Sequence, residues 1–192
     1  MRRARRAGCL AGALALGLAS PAPASDGAWF LHPFGEMRAY FGDWLAVCTE
    51  EGRGPCRAVQ ILLEGDETRV GPARLAVYPR ESGGHVLTLY MRGMPEEGRD
   101  PVILAIDGHV LPLSAEDWAP GEPGAPNVME TLTIADPDVM GDLVARMRAG
   151  LRLTASHGGG GGPRGGDQTV FSLRGLTAAL DAIEARATEN GE

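Results

Sequence analysis

The residues that could support nucleophilic chemistry are few and widely scattered in this sequence. A hydrolase triad would combine a histidine with a serine, and the candidates are His85, His109, His157, Ser82, Ser114 and Ser156. The chain has no Gly-x-Ser-x-Gly motif, the sharp turn that exposes a nucleophilic serine in many hydrolases. We therefore expect no catalytic residues. The sequence predicts instead that His109 is an exposed strand residue beside a hairpin turn.

Phosphate and metal sites are equally poorly supported. The glycine-rich stretch Gly158–Gly166 lacks the Gly-Lys-Ser/Thr of a phosphate-binding loop, because the protein contains no lysine. Asp136 and Asp138 could pair on calcium, but helix capping explains both, and no Asp-x-Asp-x-Asp-Gly loop surrounds them. The acidic residues around Glu64–Glu67 are typical of a solvated turn. We expect no metal and no cofactor.

Cysteine usage is more informative. Cys9 lies in an N-terminal stretch that we expect to be removed, which leaves Cys48 and Cys56 as an even pair. An even pair in an oxidising compartment favours one disulfide. The alternative is half of a zinc site, but the four histidines do not supply further ligands at a recognised spacing.

The first 24 residues have the pattern of an export signal. Four arginines precede the uncharged, mostly apolar run Ala7–Ala19, and Ala22 and Ala24 then provide an A-x-A cleavage site. The run is too short for a membrane-spanning helix, which needs about 20 residues. We expect cleavage near Ala24 and a periplasmic or secreted protein that is not stably inserted in the membrane.

The charge of the chain limits its partners. The formal net charge is −7, and loss of the four signal-peptide arginines would make it −11. Nucleic-acid binding depends on clustered positive charge, and an acidic protein is also repelled by an anionic lipid surface. We expect neither kind of partner.

Alternating apolar residues and turn signals predict a mainly β protein. Phe41–Cys48 and Cys56–Leu63 read as a central hairpin, because both faces of both strands are largely apolar. Asp107-Gly108 is a favoured two-residue hairpin turn. The further predicted strands are Arg74–Tyr78, Val86–Met91, Val102–Ile106, His109–Leu113, Val128–Ile134, Leu151–Ala155 and Thr169–Leu173.

Two helices are predicted in the C-terminal third. The first begins at Asp136-Pro137 and ends at Gly150, and the second follows Leu176 with apolar residues at helical spacing to Ala187. The predicted fold is an antiparallel β-sandwich-like domain with two short α-helices. Its organisation is a signal peptide (1–24), an irregular N-terminal arm (25–40), one domain (41–187) and a polar tail (188–192).

Aromatic residues outside the predicted strands form a candidate interaction surface. Trp29, Phe30 and Phe34 lie in the N-terminal arm, and Trp118 lies in the proline-rich loop Ser114–Asn127. Such residues either pack on the core or present a binding patch. We interpret Trp44, beside the cysteine pair, as a core residue.

Two blocks of sequence resemble the invasion-associated locus B (IalB) family. The first is Phe41-Gly-Asp-Trp44 with Cys48, Cys56 and Val59-Gln60. The second runs from Arg148-Ala-Gly150 through Phe171-Ser-Leu-Arg-Gly-Leu-Thr-Ala-Ala-Leu180. Many members carry a second cysteine pair, which the corresponding region 118–126 lacks. A neighbouring family of exported proteins shares the aspartate-tryptophan strand and the first pair, and remains an alternative.

The resemblance implies a small exported bacterial protein without an established catalytic site, whose founding member is linked to host-cell invasion. Together with the export signal and the disulfide, it predicts a non-catalytic protein that binds a protein or an envelope component. The alternatives are a small periplasmic hydrolase and an inhibitor of a cell-wall enzyme.

Overall fold

The structure is a computed structural model that describes residues 26–62, 73–80, 82–91, 102–121, 131–157 and 168–190. The predicted signal peptide, the acidic turn Glu64–Glu67 and the loop Gly158–Gly166 lie outside these ranges. The strands are β1 (Phe30–His32), β2 (Glu36–Phe41), β3 (Trp44–Cys48), β4 (Cys56–Leu62), β5 (Ala73–Pro79), β6 (His85–Met91), β7 (Val102–Ile106), β8 (His109–Val110), β9 (Ala119–Pro120), β10 (Thr131–Ile134), β11 (Arg152–His157) and β12 (Gln168–Ser172). The helices are α1 (Pro137–Ala149) and α2 (Leu176–Asn190).

A large antiparallel sheet contains most of the strands. Its order is β1-β2-β3-β4-β5-β6-β10-β9, so the first six strands follow one another as a meander. The central hairpin β3–β4 pairs Cys48 directly with Cys56, and neighbouring pairs join Val47 to Arg57 and Leu45 to Val59. The prediction that this hairpin is central is confirmed.

A smaller antiparallel sheet has the order β12-β11-β7-β8. The turn between β7 and β8 holds Asp107 and Gly108 at φ 50° and 85°, as a two-residue hairpin turn of this type requires. The Asp107 carboxylate accepts hydrogen bonds from the backbone N–H groups of Leu151 and Arg152, both at 3.0 Å. This turn therefore fixes the start of β11 beside β7.

Helix α1 begins and ends at signals in the sequence. The Asp136 side chain caps α1 by accepting from the N–H groups of Asp138 (2.9 Å) and Val139 (3.1 Å), and Pro137 occupies the first helical position. The N–H of Gly150 donates to the Arg146 carbonyl oxygen and ends the helix. None of the helices in the described ranges is long and apolar enough to cross a bilayer.

One large hydrophobic core joins the two sheets and the two helices. The side of the large sheet that carries Trp44, Ala46, Leu75 and Leu87 faces this core, together with residues from both helices and the small sheet. We call this side of the large sheet the inner face, and the other side the outer face. α2 packs across β2–β5, and α1 packs on β6. The fold is mainly β, with two antiparallel sheets and two C-terminal helices, which confirms the predicted fold class.

The secondary structure differs from the prediction at the N-terminus. Residues 25–40 were predicted to be irregular, but they contain β1 and most of β2. Pro33, Phe34 and Gly35 form the turn between these strands, and Gly35 has φ 74°. The local turn signals therefore mark a hairpin. A second difference is that β8 ends at Val110 and not at Leu113; Pro112 has no backbone N–H to donate to a neighbouring strand.

Candidate functional site

The two sequence blocks that carry the family resemblance meet in the structure through the side chain of Gln60. Its amide nitrogen donates to the carbonyl oxygens of Asp43 (2.9 Å) and Ser172 (3.2 Å), and its amide oxygen accepts from the Ser172 N–H (2.9 Å). These partners fix the orientation of the amide, because a flipped group would face its NH₂ toward an N–H donor. Gln60 is only 5% exposed. We call this contact the Gln60 junction.

Further contacts strengthen the junction. The indole N–H of the fully buried Trp44 donates to the same Ser172 carbonyl oxygen at 2.8 Å. Arg174 forms a two-point ion pair with the Asp43 carboxylate, with N–O distances of 2.7 and 3.1 Å. Two side-chain hydrogen bonds, of which the one from Arg174 has the larger effect and the one from Ser172 the smaller, hold the pKa of Asp43 below its usual value. Asp43 therefore favours the ionised form that the ion pair needs.

Two glycines allow the blocks to approach closely. Gly175 has φ 93°, and a β-carbon at this position would overlap the carbonyl oxygen of Phe41. Gly42 has φ 55°, and its β-carbon would lie 2.8 Å from the Arg174 carbonyl oxygen. The residues of the two blocks thus serve packing and hydrogen bonding between the ends of the domain. Trp44 is a core residue, as predicted.

The candidate triad residues have other partners. His85 Nε2 lies 3.0 Å from a Glu184 carboxylate oxygen, to which Arg148 also donates at 3.2 Å. Ser114 donates to Asp117 at 3.0 Å within a short turn, and His109 is exposed on β8, as expected. Among the described hydrogen bonds, none joins a histidine to a serine.

The positions of Asp136 and Asp138, the two carboxylates that could pair on calcium, are explained by their roles at the start of helix α1. Asp136 uses its carboxylate to cap α1, and Asp138 lies in the first turn, where negative charge is favourable to the helix dipole. In the parts of the chain that the structure describes, no group of three or more His, Cys, Asp or Glu side chains is arranged to hold a metal ion. Cys48 and Cys56 form the predicted disulfide.

The aromatic residues proposed as an interaction surface do not share one environment. Trp29 is half-buried, with the Arg186 guanidinium 4.9 Å from its ring centre, and Phe30 stacks on Tyr40 at 6.0 Å. Phe34 is 81% exposed at the β1–β2 turn. Trp118 was grouped with them because its loop is rich in proline. It is 7% exposed and belongs to the main core, so it contributes little to any surface.

The outer face of the large sheet carries a contiguous set of side chains that the sequence analysis did not identify as a site. Register places Tyr40, Leu45, Val59, Ala76 and Thr88 opposite one another on β2–β6, so they form one row across the sheet. Val47, Val59 and Ala76 are buried and pack with Leu45 and Tyr78 in a second apolar cluster, separate from the main core. As described, this cluster includes no residue of either helix or of the small sheet.

Aromatic and basic residues flank this row. On one side lie Arg38, Arg57 and Tyr78, and on the other Ile61, Arg74 and Tyr90, so all three tyrosines of the protein are on the outer face. Tyr40 and Ile61 are 48% and 46% exposed. The alternation in each strand was the signal for this face, but alternation alone cannot show which neighbouring strands bring their outward residues together.

Glu36 organises the arginines at one edge of the row. Its carboxylate pairs with Arg38 and lies 3.6 Å from Arg57. The side chains of Arg38 and Arg57 are 22% and 31% exposed, so both remain partly accessible.

An open cavity of about 510 Å³ adjoins the outer face. Tyr78 and Val86 from the sheet, Pro120 from β9 and Arg80 contribute to its wall. One Arg80 nitrogen donates to the Ala135 carbonyl oxygen at 2.7 Å, which holds the side chain at the cavity. The volume of this cavity is in the range of pockets that bind a small molecule or a side chain of another protein.

The comparisons with known proteins support the fold. No protein-family model and no curated protein matches the chain. The crystal structure of invasion associated protein B from Bartonella henselae is similar, with a TM-score of 0.52 and 20% sequence identity over 77% of this chain and 96% of that chain. We conclude that this chain has a fold of the invasion associated protein B type.

Proposed function

We propose that this protein is exported and acts by binding another protein or envelope component through the outer face, without a reaction of its own. The observation that carries the proposal is the second apolar cluster on the outer face, beside which Tyr40 and Ile61 are 48% and 46% exposed and tyrosine and arginine side chains lie in register. Tyrosine and arginine are enriched among the residues that dominate binding energy at protein interfaces.

Export is supported by two independent features. The N-terminal sequence has the charge and apolar pattern of a signal peptide. The Cys48–Cys56 disulfide fits an oxidising compartment. The similar crystal structure is of a protein named as invasion associated, and this extends the proposal to a role at the envelope or in invasion.

The partners of the polar motif residues support a binding role over catalysis. Asp43, Gln60 and Arg174 make hydrogen bonds that join the two ends of the domain, and His85 and Arg148 share a carboxylate between β6 and the helices. In these positions the groups join separate elements of the domain by hydrogen bonds and ion pairs.

A capture experiment tests the proposal. The mature domain, residues 25–192 with a C-terminal tag, is incubated with envelope extract, and bound protein is titrated to saturation. We expect one saturable partner, lost in Ile61→Gln. Ile103→Gln is the matched control, because Ile103 lies on the small sheet and is 45% exposed, against 46% for Ile61. Absence of a saturable partner, or equal loss in both variants, would contradict the proposal.

Export is tested separately by cell fractionation of the full chain. The expected product outside the cytoplasm is a protein whose intact mass corresponds to residues 25–192. Recovery of the uncleaved chain in the cytoplasm would contradict this part of the proposal.

A further inference from the structure

We infer that β12 pairs with β12 of a second copy of this chain. The small sheet has the order β12-β11-β7-β8, so β12 has β11 on one side and an edge on the other, which we call the β12 edge. Antiparallel pairing at this edge extends the sheet across two molecules. The inference goes beyond the proposed function and does not depend on binding at the outer face of the large sheet.

The register of β12 shows which backbone groups point to the β12 edge. In an antiparallel pair, alternate residues direct their N–H and C=O groups toward the neighbouring strand and away from it. Ser172 directs both groups away from β11, because both bond to the Gln60 side chain. By the same alternation, Val170 and Gln168 also direct their N–H and C=O groups to the β12 edge. Among the described residues, these groups have no hydrogen-bond partner.

The other sheet edges in the described ranges are protected against strand addition. In the large sheet, β1 has three residues, and β9 has two, of which Pro120 has no N–H to donate. In the small sheet, β8 has two residues and is soon followed by Pro112. Short length, proline and charge are the features that keep edge strands from pairing. β12 has five residues and neither proline nor a charged side chain, so its edge can accept a strand.

A second β12 is a strand that fits this edge. Two copies of a chain with a net charge of −7 repel each other over most of their surfaces, but β12 is uncharged, so this repulsion is small where β12 meets β12. A two-fold axis beside Thr169 places Val170 opposite Gln168 of the partner subunit, and each such pair exchanges two N–H···O bonds. The Val170 side chain, 47% exposed, then packs beside the added strand.

Sedimentation velocity of the mature protein over a range of concentrations measures the self-association. The contact is small, so we expect a Kd of about 10–100 μM. Val170→Pro removes an N–H that points to the β12 edge and leaves the bonds between β12 and β11 in place, so we expect it to weaken association at least about tenfold.

The matched control is Val110→Pro, at the other edge of the same sheet. The N–H of Val110 also points away from its neighbouring strand, because the residue after it, Leu111, donates to Leu104 on β7. We expect this variant to change the Kd less than about twofold.

Cysteine cross-linking tests the register and does not require the proline variant to fold. Thr169→Cys places two thiols directly opposite each other across the two-fold axis, at a separation that a disulfide can bridge. Residues 25–192 contain no cysteines besides Cys48 and Cys56, which are bonded to each other, so the new thiol is free. We expect mild oxidation to convert most of Thr169→Cys to a covalent dimer, and little of Val110→Cys, although Val110 is 67% exposed.

Several outcomes would overturn the inference. They are a monomer at concentrations up to about 1 mM, equal weakening by the two proline variants, and equal cross-linking of the two cysteine variants. A monomeric protein whose capture of an envelope partner is lost in Val170→Pro but not in Val110→Pro would also overturn it, because the β12 edge would then add a strand of another protein. Self-association is measured without envelope extract, so failure of this inference is distinguishable from failure of the proposed function.

Discussion

Replacing Gln60 by methionine tests the role of the Gln60 junction. Methionine keeps the length of the side chain but removes its donor and acceptor. The Asp43 carbonyl oxygen then loses its donor, and the Ser172 N–H loses its acceptor, whereas the Ser172 carbonyl oxygen keeps its bond from Trp44. An unpaired buried polar group costs about 1–3 kcal/mol, so we expect a loss of about 2–4 kcal/mol.

The assay is thermal and urea unfolding of the mature protein. For a domain of this size, about 1 kcal/mol shifts Tm by about 2–4 °C, so Gln60→Met is expected to lower Tm by about 5–15 °C. The matched control is Gln168→Met, the same substitution at the exposed start of β12. A Tm within about 1 °C of wild type, or an equal loss in Gln168→Met, would refute the reasoning.

A second substitution distinguishes hydrogen bonding from packing. Gln60→Glu keeps the shape but directs a carboxylate oxygen at the carbonyl oxygens of Asp43 and Ser172 in place of the amide donor. The Asp43 carbonyl oxygen then has lost its donor, and the Ser172 carbonyl oxygen keeps the bond from Trp44. Protonation of the new carboxyl group restores one donor. We therefore expect its destabilisation to be smaller near pH 5 than near pH 8. A loss independent of pH would show that packing, not donor identity, dominates.

The remaining predictions concern contacts around the same core. Cys48→Ser should reduce stability by about 2–3 kcal/mol through the short disulfide loop, and equal melting temperatures with and without reductant would contradict this. Gly175→Ala should destabilise more than Gly141→Ala, because its β-carbon meets the Phe41 carbonyl oxygen while the exposed Gly141 has open space, as unfolding of both variants can check. The lowered pKa of Asp43 stabilises the fold above about pH 4, its unfolded pKa, and this contribution is lost as pH falls through the folded pKa. Asp43→Asn should accordingly show a shallower acid dependence of stability, and an unchanged dependence would count against the ion pair.

Local patterns in the sequence were sufficient for most elements. A continuous apolar run before a hairpin turn predicted β7 at its observed bounds, and alternation with turn signals predicted β5 and β6 to within one residue at either end. The Asp136-Pro137 start and the Gly150 end of α1 were correct because capping depends on neighbouring residues. The N-terminal hairpin was missed because residues 25–40 were interpreted as an irregular arm, although residues 33–35 form a turn between two strands.

Long-range pairings were beyond local patterns. β7 pairs with both β8 and β11, and no neighbouring residue encodes the second partner. The burial of Trp118 and the outer-face row likewise depend on which distant strands become neighbours. A lone glutamine among apolar residues in β4 was a usable signal, since a buried amide needs several partners.

The Gln60 junction also has a consequence for the order in which the chain acquires structure. Its hydrogen bonds join residues separated by 112 and 128 positions, so they require the entropically costly closure of a long loop that includes most of the chain. During synthesis from the N-terminus, Trp44 and Gln60 emerge long before Ser172. The inner face of the early hairpins therefore cannot form these contacts until the last strand and helix have been synthesised. Completion of the core is accordingly a late event that involves most of the chain.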